Sequence, residues 1–278
     1  MNQSLRFDKK DRDLLVKINE VIDSGNVSSA EQETFRTSLH PHGIQNMVST
    51  HEERMAMAEV NLLQRLNDGT GVEARLSALK TLHEEVLYSA QTPFRFNTSR
   101  VLIQLMKEIV RARGNEEEQL RLIHDFQKVA AGNPRIVRAF LSKFFLLEMP
   151  EEWNQKTMDD HVHDANTMGR KNSTYLVMDA RVKGIRRLTV VYYNFVDSKV
   201  VYELYEAAHI MGISVRLGIK FKARFHDRYV EFLWTPKGFT DTKSVLDFLK
   251  EPETEALMQE GRAVEDWARE EVLQTLEA

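Results

Sequence analysis

Leu188-Thr189-Val190-Val191-Tyr192-Tyr193, followed by Ser198 to Met211 and then Ile213 to Phe221, decides the fold. The first run is β-branched and aromatic and of strand length. The second has helical patterning and stops at Gly212, and the third reads as strand again. Strand, helix, strand at this spacing predicts a parallel β-α-β crossover. Upstream, Lys171 to Lys183 predicts a helix behind a short strand at His161 and His163, which makes two successive crossovers, with Gly184 closing the first helix. Downstream, Phe225-His226-Asp227-Arg228 reads as a turn that folds Tyr229 to Trp234 back as a hairpin arm. Helices over Thr242 to Leu249 and Glu253 to Leu276 complete the pattern.

Ahead of Pro150 the periodicity is helical. Leu14, Leu15, Ile18 and Val21 form one apolar stripe. Leu76, Leu79, Leu82, Val86 and Leu87 form a second, Leu102, Leu105, Met106 and Ile109 a third, and Leu120, Ile123, Phe126 and Val129 a fourth. Breaks at Ser24-Gly25-Asn26, Asn67-Asp68-Gly69, Gln91-Thr92-Pro93, Gly114-Asn115 and Gly132-Asn133-Pro134 predict short turns between packed helices. Asn97-Thr98-Ser99 offers a cap for a helix from Arg100, and Asn133-Pro134 a cap followed by proline at the first helical position. The expected class is therefore α/β with a large all-α N-terminal portion. A helical bundle or array over residues 1–150 precedes a partial β/α barrel-like region, β-α-β-α-β plus hairpin, over 151–278.

A chain of 278 residues with 42% apolar side chains supports a real core in one large or two moderate domains. The absence of Cys excludes disulfides, thiolate ligands, iron-sulfur clusters and a Cys nucleophile, so His, Asp and Glu are the strong metal ligands at hand. The start, Met1-Asn2-Gln3-Ser4-Leu5-Arg6-Phe7-Asp8-Lys9-Lys10, turns charged where a secretory signal needs an apolar run, and no span is long enough to cross a bilayer. A cytoplasmic protein with no membrane partner is expected. The net charge of -4 gives no general attraction to nucleic acid.

Chemistry is concentrated in Asp159-Asp160-His161-Val162-His163-Asp164. Strand side chains repeat every two residues, so His161 and His163 can converge on one ion, with Asp160 and Asp164 beside them. A solvated or structural pair is the alternative. In Arg216-Leu217-Gly218-Ile219-Lys220-Phe221-Lys222-Ala223-Arg224-Phe225-His226, period two places Arg216, Lys220, Lys222 and Arg224 on one face. That stripe either attracts phosphate or nucleic acid, or is a solvated face that discourages edge pairing. His40-Pro41-His42 is a second, weaker histidine pair in the helical half. No glycine-rich phosphate loop, dinucleotide fingerprint or Gly-x-Ser-x-Gly elbow is present.

This order resembles the start of the polymerase-and-histidinol-phosphatase (PHP) superfamily of metal-dependent phosphoesterases. That family has a distorted β/α barrel opening with His-x-His, then a strand ending in a Thr-Asp-His type motif, then a third strand with Gly-x-Glu before a hairpin. The counterparts here are Asp160-His161-Val162-His163-Asp164, Tyr192-Tyr193-Asn194 and Gly218-Ile219-Lys220. The resemblance covers roughly Asp159 to Pro236. It departs where Lys220 stands for a ligating carboxylate and Asn194 for an acid or imidazole. The amidohydrolase barrels that include adenosine deaminases also open with His-x-His, and rank second.

The PHP resemblance implies that His161 and His163 hold a divalent metal, zinc or manganese, with Asp160 or Asp164 orienting an imidazole or completing coordination. Arg216, Lys220, Lys222 and Arg224 would then meet the phosphate. The expected function is a metal-dependent phosphoesterase-like hydrolase acting on a phosphorylated small molecule or nucleic acid. The competing expectation is a noncatalytic scaffold, whose helical domain engages a protein partner and whose barrel fragment is degenerate.

Overall fold

The computed structural model describes residues 7–24, 49–66, 69–88, 94–150, 157–239 and 241–277. The chain divides into two compact units, Met1–Gln155 and Lys156–Ala278. The pair His40 and His42 lies outside the described residues.

The first unit is helical: α1 (Lys9–Ser24), α2 (His51–Arg65), α3 (Val72–Leu82) continued by a π-helical turn (His83–Tyr88), α4 (Arg95–Arg111), α5 (Glu116–Ala130) and α6 (Pro134–Lys143). Each stripe read from the sequence faces the core, except that Ile22 takes the last buried position of α1 and Val21 is only partly covered. Thr50 begins α2 with a capping box, its hydroxyl accepting from the Glu53 N–H while Glu53 accepts from the Thr50 N–H. Asn133 caps α6 by accepting from the Arg135 N–H, with Pro134 opening the helix as expected.

Asn97-Thr98-Ser99 corrects the expectation of a cap. All three are buried inside α4, which starts at Arg95. Thr98 donates to the Phe94 carbonyl at 2.8 Å. The Asn97 amide both donates to and accepts from the Met149 backbone, at 2.8 and 2.9 Å, and Arg100 donates to the Leu147 carbonyl at 2.8 Å. These polar groups fasten the segment after α6 onto α4, since a buried backbone group needs a partner.

The second unit runs β1 (Met158–Val162), α7 (Ser173–Lys183), β2 (Arg187–Tyr193), α8 (Ser198–Met211), β3 (Ser214–Phe225), β4 (Arg228–Trp234), α9 (Thr242–Leu249) and α10 (Pro252–Glu277). The strands are ordered β1-β2-β3-β4 in a curled half-barrel, parallel across the first two pairings and antiparallel in the β3–β4 hairpin. The α/β class with a large helical portion stands. Both crossovers step the same way, so α7 and α8 lie side by side on one face and bury Leu188, Val190, Tyr192, Leu217 and Ile219 beneath them. Gly184 and Gly212 end the two helices in the left-handed conformation that glycine adopts without a Cβ clash. Arg181 is buried and donates to the Met211 carbonyl at the end of α8, where a cation meets the negative end of the helix.

β1 carries one extra residue. Asp159 pairs with Leu188 and Val162 with Val190, so Asp160 and His161 together face the single residue Thr189. This bulge puts both of them on the face opposite α7 and α8. On that concave face Gly218 leaves room that the Leu233 and Val191 side chains fill, 3.1 and 3.2 Å from where its Cβ would stand.

Helix α10 meets the carboxyl end of β2 at Gly261. A Cβ there would meet the Asn194 carbonyl oxygen, and Arg262 lies over the Phe195 ring and pairs with Asp197 at 3.2 Å. Gly261→Ala is expected to loosen α10 by about 1–3 kcal/mol, because the obstacle is backbone and cannot rotate aside. Faster amide exchange confined to α10 and residues 194–197 checks this; exchange unchanged from the parent chain would exclude the close approach.

Candidate metal centre

His161 and His163 sit at the carboxyl end of β1, the end at which ligands bind in open parallel sheets. Their ring centroids are 5.1 Å apart with planes at 70°. The His163 Nδ1 lies 2.8 Å from the Val191 carbonyl oxygen, which can only accept, so Nδ1 carries a proton and Nε2 is the nitrogen left to face a ligand in the neutral ring. A backbone carbonyl on one imidazole nitrogen is the arrangement that prepares the other nitrogen for a metal. Thr167 closes beside it, its hydroxyl 3.3 Å from the same Nδ1. The turn that carries Thr167 folds tightly back, and the Cβ missing from Gly169 would collide with the His163 carbonyl oxygen.

A row of side chains continues from these imidazoles across the sheet. The Tyr193 ring stacks on His163 with centroids 5.3 Å apart, and the Lys220 ammonium lies 5.6 Å from the Tyr193 centroid. Lys220 pairs with Glu231 of β4 at 2.9 Å. The hydrogen bond from Lys220 holds the Glu231 carboxyl below its ordinary range, with smaller help from the charges of Lys220, Lys222 and His161. The same bond raises the Lys220 ammonium.

The expected site residues separate into three groups. His161, His163 and Asp160 share the concave side; the Asp160 carboxylate accepts from Thr189 at 3.2 Å and stands 3.6 Å from Arg187. Arg216, Lys220, Lys222 and Arg224 follow one another along the same side of β3, with Arg216, Lys222 and Arg224 exposed. Lys220 is committed to Glu231, and the Arg224 guanidinium donates to the His226 carbonyl at 3.1 Å.

Asp164 is the correction. It is fully buried away from the imidazole pair, accepting from the Ser173 hydroxyl at 2.7 Å, the Tyr192 hydroxyl at 2.8 Å and the Asn166 N–H at 2.9 Å. A carboxylate so enclosed neither reaches a ligand nor orients either histidine. Asn194, with φ of 59°, turns its amide to Glu265 of α10. Sequence reasoning missed Tyr193 and Glu231 as parts of the site. The tight turn at His226-Asp227 was the available signal, because it pairs Lys222 with Glu231 and so brings that carboxylate diagonally to Lys220.

Among the described residues no three His, Asp or Glu side chains converge as they stand on a point that could hold a metal. The two imidazoles are the side chains that could offer nitrogen donors to an ion, with Asp160 on the same side of the sheet. Among the same residues no helix is long and apolar enough to cross a membrane. No family model, curated protein or solved structure matches the chain.

Proposed function

We propose that the second unit is a metal-dependent phosphoesterase-like hydrolase, with His161 and His163 binding zinc or manganese and the cationic side of β3 receiving a phosphorylated substrate. The observation that carries this reading is the Nδ1 contact of His163 with the Val191 carbonyl, which leaves Nε2 as a ready donor beside the second imidazole. A bound divalent cation would supply a Lewis acid for a phosphoryl oxygen and a more acidic water. The chain contributes Arg216 and Lys222 as exposed phosphate-facing cations, and Tyr193 as the ring that keeps His163 in plane. A phosphorylated small molecule or a nucleic acid end would both present the required group.

One observation favours the second reading, in which the chain is a noncatalytic scaffold. Phe145 follows α6 with φ of 55°, where glycine is normally used, and its side chain is 95% exposed. Leu147 is 80% exposed two residues on. A bulky residue held in a left-handed conformation with its ring in solvent suits a helical unit that engages a protein partner.

Elemental analysis of the purified chain beside a His161→Ala/His163→Ala variant separates the readings. Near-stoichiometric zinc or manganese that vanishes in the variant is expected. It should be accompanied by metal-dependent release of p-nitrophenol from p-nitrophenyl phosphate or its diester. Absence of metal after incubation with either ion would remove the hydrolase reading and leave the scaffold ahead.

A further inference from the structure

Past the Tyr193–Lys220 pairing, β3 pairs among the described residues with β4 alone, so residues 221–232 stand as a two-stranded ribbon beyond the end of β2. Its register sets Phe221 opposite Phe232, Ala223 opposite Val230 and Phe225 opposite Arg228, all on the side of the sheet that carries the buried Ile219. On the ribbon that side is apolar and in solvent: Phe221, Val230 and Phe232 are exposed, and Phe225 is 62% exposed. Phe221 and Phe232 stack with centroids 5.7 Å apart, and Trp234 carries the aromatic row on to Phe248 of α9 at 5.8 Å. The two edges of the sheet differ. β1 is blunted by its bulge and by Asp159, Asp160 and His161, whereas β4 has no proline, pairs without a bulge, and has its carboxylate, Glu231, engaged by Lys220. An apolar ribbon of this kind marks a contact surface.

Helix α10 supplies the complementary surface. Its covered positions are Thr254, Met258, Gly261, Glu265 and Ala268, and the same helical spacing continues to Val272 and Leu276, which are exposed. Leu276 is 77% exposed, with Trp267 and Leu273 also in solvent. The apolar stripe therefore runs about 14 Å past the part of the helix that is covered, and the free ribbon, at about 17 Å, matches it in length. The charges are opposite. Lys222, Arg224 and Arg228 on the ribbon outnumber Asp227 and the engaged Glu231, while Asp266, Glu270 and Glu271 in the last turns of α10 outnumber Arg269. Both elements lie at the carboxyl end of the parallel strands, α10 meeting Asn194 after β2 and the ribbon continuing past Lys220. We propose that the chain forms a two-fold dimer in which the free end of α10 of each copy lies on the aromatic side of the other copy's β3–β4 ribbon. A helix end on a ribbon is small beside the roughly 1,600 Å² of a standard interface, and a two-fold axis makes the contact twice.

Sedimentation equilibrium of the full chain, from micromolar to submillimolar concentration, tests this with a ribbon variant, Phe225→Ser/Phe232→Ser, and a helix variant, Val272→Asp/Leu276→Asp. The parent chain is expected to reach twice the chain mass, and each variant to associate at least about tenfold more weakly, since it loses both copies of the contact. An equimolar mixture of the two variants keeps one intact contact, the helix of the first on the ribbon of the second. It should therefore associate more tightly than either variant alone and more weakly than the parent. Arg228→Glu and Glu270→Lys/Glu271→Lys change surface charge without touching the apolar packing, and should each weaken association several-fold; they carry the test if an apolar variant folds poorly by circular dichroism. A parent chain that stays monomeric throughout would overturn the proposal. So would a dimer lost in the ribbon variant but kept in the helix variant, which would mean that two β4 edges pair with each other, and so would a mixture no tighter than its components.

Discussion

Asp164→Ala is expected to destabilise the second unit by about 3–5 kcal/mol, the range for removing one member of a buried hydrogen-bonded group. The Ser173 and Tyr192 hydroxyls that donate to Asp164 are themselves buried, so the variant leaves two buried donors without their acceptor. Three elements meet at this carboxylate: the segment after β1, the first residue of α7 and the carboxyl end of β2 on its helix-facing side. Next to it, Glu203 of α8 accepts from the Thr174 hydroxyl at 2.7 Å, so the start of α7 is held by two carboxylates from different elements. Burial, and then the charge of Asp164, push the Tyr192 phenol well above its ordinary range, which keeps it a donor across the accessible pH range.

Asp164→Asn preserves the shape but replaces one acceptor with an amide donor, and should cost about 1–3 kcal/mol. Amide exchange in β2 and α7, with urea unfolding followed by circular dichroism, checks both variants. Loss of hydrolysis by Asp164→Asn without loss of stability would contradict the structural role and return Asp164 to the reacting groups.

The sequence reading of the second unit succeeded where hydrophobic period and turn chemistry agree. α8 and α9 begin and end on the residues expected, and the His226-Asp227 turn makes the hairpin. It failed on side-chain direction. Asp160 and Asp164 looked equivalent on either side of His-x-His, but the bulge turns Asp160 to the concave side, while the turn from Asp164 to Gly169 brings Asp164 beneath α7. Neither effect has a local pattern, because each depends on which strand becomes the neighbour. The pairing of Lys220 with Glu231 was hidden for the same reason: a period-two stripe shows which face a lysine takes and says nothing of the carboxylate on the next strand. In the first unit α2 carried no legible stripe of its own. Met55, Leu62 and Leu66 have helical spacing, but the position between them that completes the stripe is Glu59.

Glu59→Met is accordingly expected to stabilise the first unit by about 2–4 kcal/mol at neutral pH. Glu59 is 1% exposed, and among the described residues neither carboxylate oxygen has a hydrogen-bond partner. Burial alone raises its proton affinity well above the ordinary carboxyl value of 4.5, so the folded chain holds the proton that the unfolded chain releases. The sign of the linkage follows. Below the unfolded value both states are protonated and Glu59 costs only its unpaired polar atoms. Above it the unfolded state ionises and the folded state does not, so stability falls by about 1.4 kcal/mol per pH unit until the raised folded value is reached. Methionine has similar length and no charge, so it removes both penalties while filling the same space. The advantage of Glu59→Met over the parent chain should therefore be small near pH 4.5 and widen as pH rises, as read by urea unfolding followed by helical circular dichroism. A constant difference across that interval would mean that Glu59 ionises inside the fold, and a destabilised Glu59→Met would mean that the carboxyl finds a partner there.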